Sequence, residues 1–184
     1  MPWPWIIAGA VVLIIVIWFI GTYNRFVSLR NRFEEAFSTM DVYLKKRYDL
    51  VPNLVETVKS YARHESATLD NIVKARTMAM GAQSLEERAK GENMLTGTLK
   101  SLFALAESYP ELKANENFLE LQGQLNAIEN DIMNARKYYN AIVREFNIAR
   151  EAFPSVIVAG MMHLEKKQMF EIEDAERQNV KVQF

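Results

Sequence analysis

The chain contains no cysteine. Disulfides, thiolate catalysis, cysteine-based zinc sites and a lipidated N-terminal cysteine are therefore excluded, although this absence does not select a cellular compartment. Only two histidines occur, His64 and His163. A histidine-based metal centre is therefore not expected, because such sites need several imidazole or carboxylate ligands at recognisable spacings.

Glycine and proline are also scarce: the 184 residues include seven glycines and five prolines, two of which are Pro2 and Pro4. A sheet-rich fold with many tight turns would need more of both. Strong helix formers such as Ala, Leu, Glu, Lys, Gln, Arg and Met dominate instead, which predicts an all-α fold in one domain. The net charge of −1 offers no electrostatic argument for a nucleic-acid partner, and we expect none.

No charged residue occurs before Arg25. Residues 3–22 are almost entirely apolar and, at about 1.5 Å per residue, would span roughly the 30 Å of a bilayer core. Aromatic residues stand where the two interfaces of a membrane would lie: Trp3 and Trp5 at one end, Trp18 and Tyr23 at the other. A cleaved signal peptide would need a basic first segment, which is missing. The sequence therefore predicts a retained transmembrane anchor over residues 1–23.

Basic residues near the two ends of this segment predict its orientation. None precedes it, whereas Arg25, Arg30 and Arg32 follow it closely. The positive-inside rule then places the N-terminus outside and the main domain in the cytoplasm.

Caps and prolines divide the rest of the chain. Ser84, followed three positions later by a glutamate, forms a capping box that opens a helix running to about residue 108. Pro110 ends that helix. The next helix begins with Asn115 or Asn117 as its N-cap and ends before Pro154, so it runs from about 116 to 153.

The helix predicted over residues 116–153 carries an unbroken heptad pattern of apolar residues. This pattern favours near-parallel packing against other helices over ordinary surface amphipathicity, and it predicts an elongated antiparallel bundle. We call these residues the α5 seam: Phe118, Leu121, Leu125, Ile128, Ile132, Ala135, Tyr139, Ile142, Phe146, Ala149 and Phe153.

Pro52 lies inside a second heptad pattern without shifting its phase. Phe37, Leu44, Val51, Val58 and Ile72 share one phase, and Met40 and Leu54 share the companion phase. We therefore favour one helix from about 24 to 80, continuous with the apolar segment and kinked at residues 48–52. The alternative makes Asp49 the N-cap of a separate helix with Pro52 in its first turn.

A proline inside a helix frees the carbonyl four residues upstream, here that of Tyr48. Asn53 or a side chain from a neighbouring helix could satisfy this carbonyl, while Arg47 and Asp49 would fasten the kink to another helix. A catalytic reading of Arg47, Asp49, His64 and Glu65 is weak, because adjacent residues on a helix point about 100° apart and His64 and Glu65 cannot chelate one ion together. We predict no catalytic, cofactor or metal site.

Polar residues beside the α5 seam repeat at multiples of seven: Asn126, Asn140 and Asn147 in one row, Glu129, Arg136 and Arg150 in another. They are either a solvated face or side chains that hydrogen-bond between helices and fix register.

The tail, residues 155–184, begins with an apolar run that is too short to span a bilayer. It could be a core strand, could cap the bundle, or could contact a neighbouring subunit or the membrane surface, with Lys166 and Lys167 reaching anionic headgroups. We favour the contact between molecules.

Four segments carry a specific combination of motifs: LVPNLV at 50–55, HE at 64–65, ESYPELKAN at 107–115 and RKYYN at 136–140. Through them the chain resembles, over nearly its whole length, the LemA family of bacterial membrane proteins. The resemblance implies an elongated helical bundle over residues 24–154 on a single N-terminal span. The positions that carry it, to which we assign structural roles, are Tyr23, Asn24, Arg47, Asp49, Pro52, Asn53, Glu65, Arg76, Glu107, Tyr109, Pro110, Asn140 and Asn147.

The resemblance implies no established enzymatic reaction. A relative in magnetotactic bacteria is linked to forming magnetosome membrane vesicles, and family members tend to be encoded near membrane metalloproteases. We therefore expect a non-enzymatic, single-pass protein of the bacterial inner membrane that self-assembles as a homo-oligomer and organises or remodels the lipid membrane. The alternatives are an adaptor or regulator of another envelope protein, such as a membrane metalloprotease, and, least favoured, an enzyme or transporter.

Overall fold

The computed structural model of the protein describes residues 3–170, which contain helices and no strand. The prediction of an all-α fold is confirmed. The helices are α1 (Trp3–Tyr61), α2 (Ser66–Met80), α3 (Leu85–Ala106), α4 (Pro110–Lys113), α5 (Glu116–Glu151) and α6 (Ser155–Met161).

The N-terminal part of α1 is long and apolar enough to cross a membrane, and none of its most apolar stretch is buried by the rest of the described chain. A core helix of comparable hydropathy would be mostly covered. Exposed apolar side chains in a run of this length are typical of a segment that enters a bilayer. No loop separates this stretch from the rest of the helix, since α1 continues without interruption to Tyr61.

Helix α1 also continues through Pro52, so the alternative in which Asp49 caps a separate helix is wrong. The predicted extent of the helix, to residue 80, is wrong too. The chain turns at residues 62–65, where the Glu65 amide donates to the Ala62 carbonyl at 3.1 Å, and α2 begins at Ser66. This turn contains neither glycine nor proline, so the composition of the segment gave no sign of it.

The caps that start α3 and α5 follow the sequence pattern. The Glu87 amide donates to Ser84 Oγ at 3.1 Å, as the capping box requires. The Phe118 amide donates to Asn115 Oδ1 at 2.9 Å, which makes Asn115 the N-cap of α5, whereas Asn117 lies inside the helix. Helix α3 ends at Ala106, before the Tyr109–Pro110 step, and Pro110 is the first residue of α4.

The described chain forms two compact units, residues 3–39 with 137–169 and residues 40–136 with 170. In the first unit α1 and α5 run antiparallel, since Phe26 contacts Phe146 whereas Phe33 and Phe37 contact Tyr139. In the second unit Arg47 of α1 reaches Glu129 of α5. The α5 seam is buried or half-buried along its length, except for Phe153, which lies beyond the end of the helix and is exposed.

Helices α2 and α3 of the second unit approach each other closely at Gly91. A Cβ atom at this position would lie 2.7 Å from the Cα of Ala79 and 2.8 Å from its nitrogen. Both neighbours are backbone atoms, so the contact can be relieved only by moving one helix away from the other. Gly97, further along the same helix, has open space around it.

We predict that Gly91→Ala and Gly97→Ala have opposite effects on stability. Gly97→Ala should stabilise the protein by up to about 1 kcal/mol, because alanine is the better helix former. Gly91→Ala should destabilise it by about 1–3 kcal/mol through overpacking, despite the same gain in helix propensity. Urea unfolding of both variants in one detergent, followed by far-ultraviolet circular dichroism, measures the difference. Equal stabilisation by both substitutions would contradict the close approach.

Candidate functional site

The main polar feature of the second unit is a buried group of side chains that we call the Arg47 cluster. It consists of Arg47 and Tyr48 on α1, Glu92 and Thr96 on α3, and Glu129 and Arg136 on α5. Arg47 occupies the companion phase that also contains Met40 and Leu54, and Glu92 lies on the same stripe of α3 as the buried Leu95 and Leu99. Both charged residues therefore stand where a helix in this fold buries its side chains.

Arg47 connects three helices. Its Nη2 forms an ion pair with Glu92 Oε2, and its Nη1 donates to Glu129 Oε1 at 2.6 Å and to Thr96 Oγ1 at 2.9 Å. The side chains of Arg47 and Glu92 are fully buried, whereas that of Glu129 is partly exposed. The planar guanidinium presents several donors in fixed directions, which suits it to hold acceptors from two other helices at once.

Glu92 is the acceptor at the centre of the cluster. Its second oxygen, Oε1, accepts a hydrogen bond from the Tyr48 hydroxyl. Arg136 Nη2 lies 3.9 Å from Glu92 Oε2, and the Arg136 guanidinium also stacks 4.8 Å from the centre of the Phe170 ring. Burial raises the pKa of Tyr48, so this hydroxyl keeps its proton and remains a donor at neutral pH.

The cluster balances its formal charge, with two guanidinium groups and two carboxylates. Burying charges costs several kcal/mol per ion, and close pairing offsets this cost without necessarily exceeding it. Arg47 Nε is buried and has no hydrogen-bond partner among residues 3–170, so the compensation is incomplete. We therefore interpret the cluster as a device that fixes the relative register of α1, α3 and α5.

The side chain of Arg76 on α2 compensates for the backbone hydrogen bond that Pro52 removes from α1. Its Nε donates to the Tyr48 carbonyl at 2.7 Å, and this is the carbonyl that a proline at position 52 leaves without its helical donor. A side chain from a neighbouring helix thus replaces the missing backbone bond, and the other expected partner, Asn53, is exposed. Asp49 is exposed as well, and its side chain makes no hydrogen bond or ion pair within residues 3–170.

In the first unit, polar side chains of α5 bind the segment that follows α6. Asn147 donates from Nδ2 to the Lys167 carbonyl and accepts from the Lys167 amide, both at 2.9 Å, and Arg150 donates to the Leu164 carbonyl at 2.7 Å. The Tyr139 hydroxyl donates to the Gln168 carbonyl at 3.1 Å, and burial raises the pKa of Tyr139 to about 12. In both units these polar rows bind other segments rather than forming only a solvated face, although Asn126 is exposed.

The remaining positions singled out from the sequence lie outside the Arg47 cluster. Tyr23 and Asn24 are exposed on α1, and Asn140 is half-buried on α5. Tyr109 contacts Glu65 Oε1 at 3.4 Å, and Glu107 forms an exposed ion pair with Lys113. Of the aromatic residues assigned to membrane interfaces, Trp3, Trp5 and Tyr23 are exposed, whereas Trp18 is half-buried.

The four residues considered above for a catalytic role, Arg47, Asp49, His64 and Glu65, do not form one site. Arg47 is buried in the cluster, whereas Asp49 and His64 are exposed, and Glu65 contacts Tyr109. Within residues 3–170 no group of three or more histidine, aspartate and glutamate side chains is arranged to hold a metal ion.

Sequence reasoning named Arg47 but missed Glu92 and Thr96 as its partners, and it missed the Tyr48 hydroxyl as a donor to Glu92. A signal for Glu92 was present: it lies three residues before Leu95 on the buried stripe of α3, and a lone carboxylate on an apolar stripe calls for a buried cation. No comparable signal marks Thr96, because threonine is common on half-buried helix faces.

These features define an all-helical fold with a buried charge cluster in its second unit and a long N-terminal helix whose first part is apolar. The chain belongs to the LemA family, whose family model matches residues 36–184. It is 24% identical to Protein LemA of Metamycoplasma hominis over 166 residues, which cover 88% of this chain and 74% of that protein. It is also 24% identical to the Magnetosome proteins MamQ 1 and MamQ 2 of Paramagnetospirillum magneticum, over 87% of this chain and 70% of each of those proteins.

We predict that Glu92→Gln strongly destabilises the protein. The substitution keeps the size of the side chain but leaves Arg47 and Arg136 without their shared buried counter-charge, and breaking a buried pair costs about 3–5 kcal/mol. The matched control is Glu86→Gln on the same helix, where the Glu86–Lys90 pair is exposed and the effect should be slight. Urea unfolding of both variants measures this, and similar small effects would show that the cluster is solvated.

We further predict that the effect of Arg76→Met depends on residue 52. In the natural sequence the substitution leaves the Tyr48 carbonyl without a donor, which costs about 1–3 kcal/mol. In a Pro52→Ala background the backbone amide of the introduced alanine can donate to that carbonyl, so the loss should shrink. The coupling is obtained from unfolding free energies of the two single variants and the double variant, with Lys74→Met on the exposed side of α2 as the control. Equal losses in both backgrounds would be inconsistent with the proposed exchange of donors.

Proposed function

We propose that this protein is a non-enzymatic structural protein, anchored in a membrane by the apolar part of α1, which self-associates and organises or remodels that membrane. The observation that carries the proposal is the continuity of α1: the segment able to cross a bilayer and the helix that forms the folded domain are one helix, Trp3–Tyr61. The MamQ relatives are named as magnetosome proteins, and we take this name as support for the membrane part of the proposal.

Helical continuity has a mechanical consequence. A flexible linker would let a domain rotate freely about its anchor, whereas an uninterrupted helix transmits orientation from the bilayer to the domain. Residues Phe26 and Leu29 of α1, only a few positions beyond the apolar stretch, are already buried against α5 and α6. Contacts between neighbouring molecules would therefore act on the membrane through a stiff connection.

The orientation proposed is N-terminus outside and folded domain in the cytoplasm of a bacterium, at the inner membrane. Support comes from Arg25, Arg30 and Arg32, which follow the apolar segment closely.

Self-association has to use surfaces other than the α5 seam, because the chain buries that seam against itself. The exposed part of α1 provides one such surface inside the membrane. Outside it, apolar side chains on α2 and α3 are exposed, among them Met78, Met80 and Met94. The polar partners of α5 are already engaged within the molecule, so we expect contacts between copies to be mainly apolar.

A second candidate function, that of an adaptor for another membrane protein, is favoured by a groove on the second unit. The groove has a volume of about 830 Å³, lies between α1 and α2, and has apolar walls formed by Val51, Pro52, Val55 and Val73. Its charged residues are Lys59, Arg63 and Arg76 against one carboxylate, Glu56. Such a surface suits an acidic, partly apolar segment of another protein.

The predicted outcome that separates the two functions is the composition of the complex. We expect native mass spectrometry of the full-length protein, released from detergent micelles, to give multiples of the 21.2 kDa chain. Crosslinking in native membranes should give mainly crosslinks between copies, and Arg63→Glu in the groove should leave them unchanged, as should the control Lys74→Glu.

A monomer in the spectrometer, with no crosslinks between copies, would contradict the structural proposal. Crosslinks to one other membrane protein that Arg63→Glu abolishes and Lys74→Glu preserves would instead support the adaptor function.

A further inference from the structure

The segment from Ala152 to Leu164 contains no acidic or basic residue apart from His163. It includes α6, a helix of two turns whose two faces differ. Val158 and Ala159 point inward and are buried, whereas Ile157 and Met161, one turn apart, point outward and are 53% and 65% exposed. Phe153, just before the helix, is 83% exposed.

The buried face of α6 packs against the part of α1 that adjoins the apolar stretch. Val158 and Ala159 belong to a core cluster with Phe26 and Leu29 of α1, and the half-buried Trp18 and Phe19 pack against the same cluster. Helix α6 thus lies beside the C-terminal end of the stretch that could cross a membrane. All these residues belong to the first unit.

The end of α6 is fixed as well. The Leu164 amide donates to the Ala159 carbonyl and the His163 amide donates to the Gly160 carbonyl, both at 3.1 Å, and His163 has a φ of 50°. This is the hydrogen-bond pattern of a Schellman motif, in which the left-handed residue reverses the chain and brings the next apolar residue back onto the helix. Leu164 accordingly packs against the core cluster. The outward direction of Ile157 and Met161 is therefore set by the fold.

We propose that Phe153, Ile157 and Met161 insert into the headgroup and upper acyl region of the same bilayer that α1 enters. The proposal rests on the membrane anchoring described above. Residues 3–22 account for roughly the 30 Å of a bilayer core, so Trp18 and Phe19 fall within about one turn of its boundary. The buried face of α6 shares a core cluster with Trp18. Side chains on the outer face of α6 therefore lie near the depth where interfacial helices bury their apolar faces, about 5–10 Å into the headgroup and acyl boundary.

A lipid surface fits this face better than a second copy of the chain. The face belongs to a helix that packs beside Trp18 and Phe19, at the end of the apolar stretch of α1. Its uncharged composition contrasts with the charged residues that follow it, Glu165, Lys166 and Lys167. A segment lying on the membrane beside the anchor would add a second point of attachment, so the first unit would be held against the bilayer rather than standing away from it.

Because the chain contains no cysteine, a single introduced cysteine can be labelled selectively, and the depth of that position in the membrane can be measured in the full-length protein. Ile157→Cys is labelled with an environment-sensitive fluorophore and reconstituted in phosphatidylcholine and phosphatidylglycerol vesicles. Met161→Cys provides a second position on the same face. The matched control is Val73→Cys on α2, which has a similar exposure of 48%. Ile14→Cys, inside the apolar stretch of α1, reports on the anchor itself.

We expect the probes at 157 and 161 to emit at shorter wavelength than the probe at 73. They should lose most of their emission to lipids with a nitroxide near the headgroup end of the acyl chain, and little to aqueous iodide. The probe at 73 should show the reverse pattern.

Each other outcome overturns a different statement. If the probe at 14 is quenched by iodide, the anchor and the proposed function fail together. If the probe at 14 is in lipid but those at 157 and 161 are quenched by iodide, only this inference fails. If 157 and 161 are protected from both quenchers, the face is covered by protein, and the lipid assignment is wrong.

Discussion

The ion pair between Arg47 and Glu92 is the constraint on which the second unit depends. Both side chains are fully buried, so neither can leave the interface without leaving the other as an unpaired charge in an apolar environment. A purely apolar seam tolerates sliding by one heptad, because leucine and valine fill equivalent positions at each repeat. A buried arginine does not tolerate this sliding, since Arg47 must bind Glu92, Thr96 and Glu129 at the same time. The pair therefore contributes alignment of the helices more than it contributes net stability.

Pro52 illustrates how a local defect is accommodated by the same surroundings. A proline in a helix interior removes one backbone hydrogen bond, and a buried carbonyl left alone would be costly. The donor comes from Arg76, which the turn at residues 62–65 brings back alongside Tyr48. The Tyr48 hydroxyl itself donates a hydrogen bond to Glu92. Tyr48 therefore connects the two features: its carbonyl is the group that Pro52 leaves without a donor, and its side chain belongs to the Arg47 cluster.

The sequence predicted the parts of the fold that depend on local chemistry. The capping box at Ser84, the N-cap at Asn115 and the heptad pattern of α5 all involve residues within one or two turns of each other, and each stands where expected. The turn at residues 62–65 was missed, because it uses residues compatible with a helix. After the turn, α2 packs against α3, with Gly91 in close contact with Ala79. Within the candidate site Arg47 and Arg76 could be named from sequence, but their partners lie up to 82 residues away and no local pattern pairs them.

Helix α5 shows how the two heptad-spaced rows of polar residues perform different tasks in the two units. In the second unit Glu129 and Arg136 complete a buried charge cluster, where pairing with Arg47 and Glu92 offsets the cost of desolvation. In the first unit Asn147 and Arg150 bind backbone groups of residues 164 and 167, which have no regular secondary structure to satisfy them. An amide matches both the donor and the acceptor of a peptide group, whereas a carboxylate would match only the donor. The choice of Asn at 147 and of Glu at 129 thus follows from what each unit presents to the same face of the helix: a peptide backbone in one and a guanidinium group in the other.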